Sequence, residues 1–199
     1  PHRTVHAVEP MLRNVIYIQG YAHGRPNMKI LHGALGRREK WIDPEAHHVE
    51  RQSTMLLNLH RSGSASNFTR SAAAFRVHRL DSLFLTGPWQ GERLAFGHFD
   101  VEGAELDLLA GAKMIIQRDR PIFTVEVNVH KMRVLERMLA TLEAWSYQAQ
   151  VVPEICGLDP GCRNLVCFPV ERPTPQSLEA LMAPLNLSTV KEFKFGSEL

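Results

Sequence analysis

Apolar positions along the chain follow two periods. The short runs "TVHAVEP" (4–10), "MKILHGALG" (28–36), "RLAFGHFDV" (93–101) and "RPIFTVEVNV" (120–129) have the β-branched, turn-bounded composition of buried strands. Pro121 opens the last of them where no ladder donor is lost. Elsewhere the spacing changes to three and four. "MLRNVIYIQGYAH" can form a helix after the first strand. Leu108, Leu109, Ala112, Ile115 and Ile116 share one helical face, and Leu135, Met138, Leu139 and Leu142 share another. Helices are therefore expected over 104–118 and 131–145. "AAFRVHRLDSLF" (73–84) alternates as a half-exposed strand and turns helical near Leu80, while Trp41 falls in an extension or hairpin. "YQAQVVPEI" (147–155) and "RNLVCFPV" (163–170) add two strands around the turn-rich "CGLDPGC". From about Asp43 to Arg70 no period is visible, which predicts a long surface loop.

Strands and helices in regular alternation predict an α/β fold with a doubly wound, mostly parallel sheet. The strands ending at Glu9, Gly33, Asp100 and Glu126 should lie together in it. Such sheets gather ligands at the carboxyl ends of their strands. The residues to weigh are then the strand-end acids: Glu9, Asp100 with Glu102, and Glu126.

Composition removes several function classes. The 199 residues, 44% of them hydrophobic, suit one domain with a sizeable core. Lys and Arg total 23 against 21 Asp and Glu, and this near balance leaves no whole-chain footprint for nucleic acid or an anionic membrane. No apolar run is long enough to span a bilayer, and "PHRTVHAVEP" lacks the parts of a signal peptide, so the chain as given reads as soluble. Compartment and oligomeric state are left open by these features. Cys156, Cys162 and Cys167 form no CxxC pair and have no partnered His spacing, so no metal is expected. Cys156 and Cys162 bracket a Pro-Gly turn closely enough for a disulfide in an oxidising compartment, and are two free thiols in a reducing one. Adjacent His47 and His48 read as solvated loop residues, and the sequons at Asn67 and Asn186 are of a kind that arises by chance.

Each strand-end acid has a bland and a functional reading. Glu9 is either a solvated acid ahead of a proline turn or a carboxylate placed to accept hydrogen bonds from both hydroxyls of a nucleotide ribose. Helix capping explains one acid at the corner "FDVEGAE". It explains Asp100, Glu102 and Glu105 together less well, because crowded like charges raise one another's pKa and cost stability unless something relieves them. A functional corner accounts for all of them, with one acid orienting or deprotonating a substrate hydroxyl. Glu126 points at the same crevice or is a buried partner for an Arg such as Arg120. His98 lies two residues before Asp100, on the same side of its strand.

"VHAVEP", "HGALG", "FDVEGAELDLLAGA", "RPIFTVEV" and "RNLVCFP" occur in an order that resembles the FkbM-type S-adenosylmethionine-dependent methyltransferases, over about residues 4 to 170. The family pattern resembles VxxxEP, then KxDVEGxExxxLxGA, then RPxxxxE, then NLLxxP. The resemblance implies a Rossmann-like sheet of the class I methyltransferase type and S-adenosylmethionine as cofactor. It also implies transfer of a methyl group to a hydroxyl of a glycan, carbohydrate or other small metabolite. By position, Glu9 looks like the ribose-binding acid, the turn Gly33, Ala34, Leu35 like the wall against adenine, and Asp100 like the acid facing the transferred methyl. Glu102 and Glu105 belong to the same motif. His98 stands where the family usually has Lys, which makes any cation role there pH dependent. The family's first strand and its acidic, glycine-rich turn, expected before "TVHAVEP" and between the strands ending at Glu9 and Asp100, are not in this sequence. On this reading residues 1–172 are a methyltransferase domain lacking its first strand and helix, and 173–199 a carboxyl-terminal helix and tail.

Three functions compete on these grounds. The first is an O-methyltransferase whose acceptor is chosen by loops such as 43–70. The second is a non-catalytic remnant that keeps the sheet and serves as a binding or structural module. A nicotinamide-dependent oxidoreductase is weaker, because no GxGxxG follows any strand.

Overall fold

The computed structural model describes residues 3–44, 71–152, 161–172 and 183–184. In chain order the elements are β1 (Val5–Glu9), α1 (Leu12–Ala22), β2 (Met28–Leu35), β3 (Lys40–Ile42), β4 (Phe75–His78) and α2 (Leu80–Leu85). There follow β5 (Phe96–Phe99), α3 (Glu105–Asp119), β6 (Ile122–Asn128), α4 (Met132–Ala144), β7 (Tyr147–Val152), β8 (Cys162–Pro169) and β9 (Ala183–Pro184). The chain divides into two compact units, Pro1–Gly91 with Asp107–Lys113, and Glu92–Leu106 with Met114–Leu199.

In the first unit β1 pairs in parallel with β2, placing Glu9 opposite His32, and β2 pairs in parallel with β4, placing Gly33 opposite Arg76. β3 closes the ladder antiparallel to β4, giving the order β1-β2-β4-β3. Ala34, Ile42, Phe75 and Val77 form its core, with Met11 packed against them. A side chain at Gly33 would meet the Arg76 carbonyl at 2.8 Å and the His78 ring at 3.1 Å, so only glycine lets β2 and β4 approach this closely. Asp43, buried where β3 ends, accepts hydrogen bonds from the Ser71 amide at 2.8 Å and its hydroxyl at 2.6 Å.

In the second unit β5 pairs in parallel with β6, and β8, β7 and β9 follow antiparallel in the order β5-β6-β8-β7-β9. Period-two alternation sets its faces. Phe123, Val125 and Val127 of β6 are buried, while Thr124, Glu126 and Asn128 line the half-exposed face. The Phe99, Phe123 and Tyr147 rings continue the buried face at centroid distances of 5.6 and 5.3 Å. α4 packs on β7 and β6, burying Leu135, Met138 and Leu142 as its spacing predicts. Two residues at the end of α3 fix the entries of two strands. Buried Asp119 accepts the Leu94 amide at 2.8 Å just ahead of β5 and pairs with Arg118. Arg120, left-handed at φ 52°, reaches the Trp145 and Ser146 carbonyls and grips Glu171 through both carboxylate oxygens at 2.7 Å.

The strand–helix alternation matches the expected α/β class, with one difference of arrangement. The strands ending at Glu9 and near Gly33 belong to one ladder, and those leading to Asp100 and Glu126 belong to another. β1 and β5 are the terminal strands of their ladders, each hydrogen-bonded along one edge among the described residues. Of the expected carboxyl-terminal segment 173–199, only 183–184 are described, and they pair as a strand with β7. Cys162 is disulfide-bonded and Cys167 is free and buried; Cys156 lies outside the described residues, as do His47, His48, Asn67, Asn186 and loop positions 45–70. No described helix is long and apolar enough to cross a membrane, and no described group of three or more His, Cys, Asp or Glu could hold a metal ion.

A Cβ at Gly111 in α3 would fall on the Gly36 carbonyl oxygen, a backbone atom that cannot rotate away. Gly111→Ala should therefore destabilise the protein by about 3 kcal/mol, as overpacking does. Gly20→Ala in α1, where nothing lies within 4 Å, should be neutral or stabilising. Thermal unfolding of the two variants checks the contrast.

Candidate functional site

β5 and β6 run side by side with His98 opposite Thr124 and Phe99 opposite Val125. One residue further on, the same register brings Asp100 to Glu126, and their carboxyl groups are hydrogen-bonded. Two carboxyls in such contact resist charging together. Burial, then the Asp100 charge and hydrogen bond, push the Glu126 pKa up to about 7, with Glu105 and Glu102 adding to the rise. Arg120, the alternative partner for Glu126, is instead engaged by Glu171.

After Asp100 the chain turns sharply. Glu102 at φ 52° and Gly103 at φ 93° both occupy positive-φ conformations, and the Ala104 amide closes the turn on the Val101 carbonyl at 3.2 Å. Glycine adopts this at no cost, but a glutamate there is strained by roughly 1 kcal/mol. Glu105 points inward. It is 6% exposed, and its Oε1 accepts the Gly103 amide at 2.8 Å, so this acid does the local capping work that the sequence leaves unassigned among three candidates. Burial raises the Glu105 pKa against the pull of its backbone hydrogen bonds; burial, then Asp100 and Glu105, raise that of Glu102.

His98, also exposed, shares the sheet face with Asp100, and its Nδ1 is hydrogen-bonded to Thr124 Oγ1 at 2.6 Å. The structure thus gathers Asp100, Glu102 and His98 on one strand and its following turn, and joins to them Glu126, the strand-end acid whose neighbour the sequence leaves open because the β5–β6 register is not written in either strand alone. Glu9 ends β1 in the first unit, and Gly33, Ala34 and Leu35 are not the expected turn but the last three residues of β2, paired with Arg76, Val77 and His78. Oε1 of Glu9 accepts the Met11 amide at 2.8 Å; the other carboxylate oxygen takes no hydrogen bond among the described residues. Ala34 and Leu35 are buried in the core, so any wall they provide is made of backbone.

The model of the methyltransferase FkbM domain matches residues 1–149 of this chain. The fold is similar to the crystal structure of Methyltransferase FkbM from Methylobacillus flagellatus KT, with a TM-score of 0.57 and 15% sequence identity. That alignment covers 83% of this chain and 36% of the other, so the chain spans about a third of the length of the protein it matches. No curated protein matches.

A carboxyl whose pKa is raised on folding favours the folded state at low pH. Below about pH 4.5 Glu126 is protonated in both states; between there and about pH 7 the unfolded chain gives up a proton that the folded chain keeps, and stability falls. Glu126→Gln should flatten this decline and raise Tm at pH 8 by about 2–4 °C, the equivalent of ~1 kcal/mol after allowing for solvent screening of a half-exposed group. Calorimetric melts at pH 5 and pH 8 test it; a variant less stable than the parent at pH 8 would show that the pair is not under strain.

Proposed function

Because the chain belongs to the FkbM methyltransferase family, we propose that it serves S-adenosylmethionine-dependent methylation of a hydroxyl on a carbohydrate, glycan or small metabolite. The observation that carries this reading is the pairing of Asp100 with Glu126 at the carboxyl ends of two parallel strands. The cofactor supplies an electrophilic methyl group on sulfonium. The protein then has to hold an acceptor oxygen in line and take its proton. Asp100, exposed at the end of its strand, is assigned that task. Glu126, whose carboxyl is hydrogen-bonded to it and holds its proton to higher pH than a free glutamate, is assigned to orienting the Asp100 carboxylate. Glu102, held by the strained turn, and His98, oriented by Thr124, border the same face and are assigned to contacting the acceptor.

Glu9 is assigned to the cofactor ribose. Its carboxylate fits that group: one oxygen is fixed by the Met11 amide, which sets the orientation, and the other is left to accept from a hydroxyl. Gly33, Ala34 and Leu35 are assigned to the adenine side through their main chain. Choice of acceptor falls to the segment 43–70, whose ends are joined by Asp43 and Ser71.

The roles separate in binding and turnover. Glu9→Ala should weaken S-adenosylmethionine binding about 10- to 100-fold in calorimetry, the loss expected of a charged hydrogen-bond acceptor. Asp100→Asn should leave that affinity nearly unchanged and lower methyl transfer to hydroxylated acceptors about 10²- to 10⁴-fold. Cofactor affinity indifferent to Glu9, or turnover indifferent to Asp100, overturns the corresponding assignment. A protein that binds no cofactor at all favours a binding module over an enzyme.

A further inference from the structure

α1 presents most of its large apolar side chains to solvent. Of its eleven residues one, Val15, is buried. Ile16, Tyr17 and Tyr21 are 60, 73 and 71% exposed, and Leu12 is 37% exposed at the helix start. Arg13, Tyr17 and Tyr21 follow one another at helical i, i+4 spacing, so they form one stripe along the surface. Arg25, just past the helix, lies over the Tyr21 ring at 4.3 Å and completes the stripe, which thus carries a cation at each end. Leu12 and Ile16 form a second, apolar row with the same spacing. A cluster of large exposed apolar side chains rimmed by charge marks an interaction surface.

Charge decides what kind. From Pro10 to Arg38 the sequence contains no Asp or Glu, so the overall balance of 23 to 21 conceals a basic stretch of sequence in which Arg13 and Arg25 border the α1 stripe and Arg37 pairs with Asp107. A second copy of the chain is a poor occupant, because a two-fold contact through α1 would oppose arginines with no acid on the helix to pair them. Nucleic acid would use the arginines but gain nothing from Leu12 and Ile16. Aliphatic side chains, amphipathic tyrosines and flanking arginines on one helical face, with no acid, are together the composition of a helix lying in the plane of a lipid surface. We infer that this face of α1, through Leu12, Ile16, Tyr17, Tyr21, Arg13 and Arg25, docks the protein on an anionic lipid surface. The aliphatic row and the tyrosine rings enter the boundary between headgroups and acyl chains, and the arginines meet the acidic headgroups. α1 is about 16 Å long, so it lies on the bilayer and does not cross it. This inference is independent of the methyl-transfer reading.

Co-sedimentation of the protein with phosphatidylcholine vesicles, with and without phosphatidylserine and at low and high salt, tests the docking. Binding is expected to require phosphatidylserine and to be lost at high salt. Arg13→Gln and Arg25→Gln should each weaken it about fivefold, the share of one surface cation. Tyr17→Ser with Tyr21→Ser should abolish it while leaving Tm unchanged, since both side chains are exposed. Three results overturn the inference: no preference for phosphatidylserine, variants that bind as well as the parent, or a dimer in sedimentation velocity that the tyrosine substitutions dissociate.

Discussion

Two carboxyl groups in contact resist carrying two charges at once, and the corner after β5 is organised around that constraint. The parallel pairing of β5 with β6 brings Asp100 to Glu126 and so, with burial, raises the pH at which Glu126 gives up its proton. Around this pair the remaining acids take different parts. Glu105 is turned into the protein and spends its carboxylate on backbone amides, while Glu102 is set outward by a left-handed turn that a glutamate adopts only at a cost. Burial and neighbouring acids raise the pKa of Glu102, Glu105 and Glu126 alike, so the corner gathers acids at some expense to the fold.

The geometry of that corner is set from the far ends of its strands. Asp119 and Arg120 are adjacent at the close of α3, and each secures the entry of one strand. Asp119 holds Leu94 ahead of β5, and Arg120 leads directly into β6 while binding Glu171 and the carbonyls of Trp145 and Ser146. With both starting points fixed by charged hydrogen bonds, the relative register of the strands is fixed as well, and the register decides which carboxyls meet. Tyr147 adds to the clamp: its ring lies under the Arg120 guanidinium at 4.6 Å and its hydroxyl donates to the Pro121 carbonyl at 2.9 Å.

Much of this was legible in the sequence, because hydrophobic period alone separates strands from helices. The helical faces through Leu108–Ile116 and Leu135–Leu142 and the strand runs near Glu9, Gly33, Asp100 and Glu126 all occupy the places their spacing predicts. What period does not encode is pairing. It could not divide the strands between two ladders, nor choose between Arg120 and Asp100 as the neighbour of Glu126, because both depend on which edges meet in space. The division of labour among Asp100, Glu102 and Glu105 was hidden for a related reason. A turn with positive φ at Glu102 is unusual for that residue, and Gly103 alone signals a turn without saying that its neighbour shares the conformation.

The hydrogen bonds from Ser71 to Asp43 join positions 28 residues apart and place both ends of the intervening segment at one spot beside β3. For a chain stretch whose ends are already tied, changes in length are cheap: doubling it costs only about 0.6 kcal/mol in closure entropy. Tying Asp43 to Ser71 thus separates the length of what lies between them from the pairing of β3 with β4, and that pairing holds whatever the number of residues spanning the two anchors.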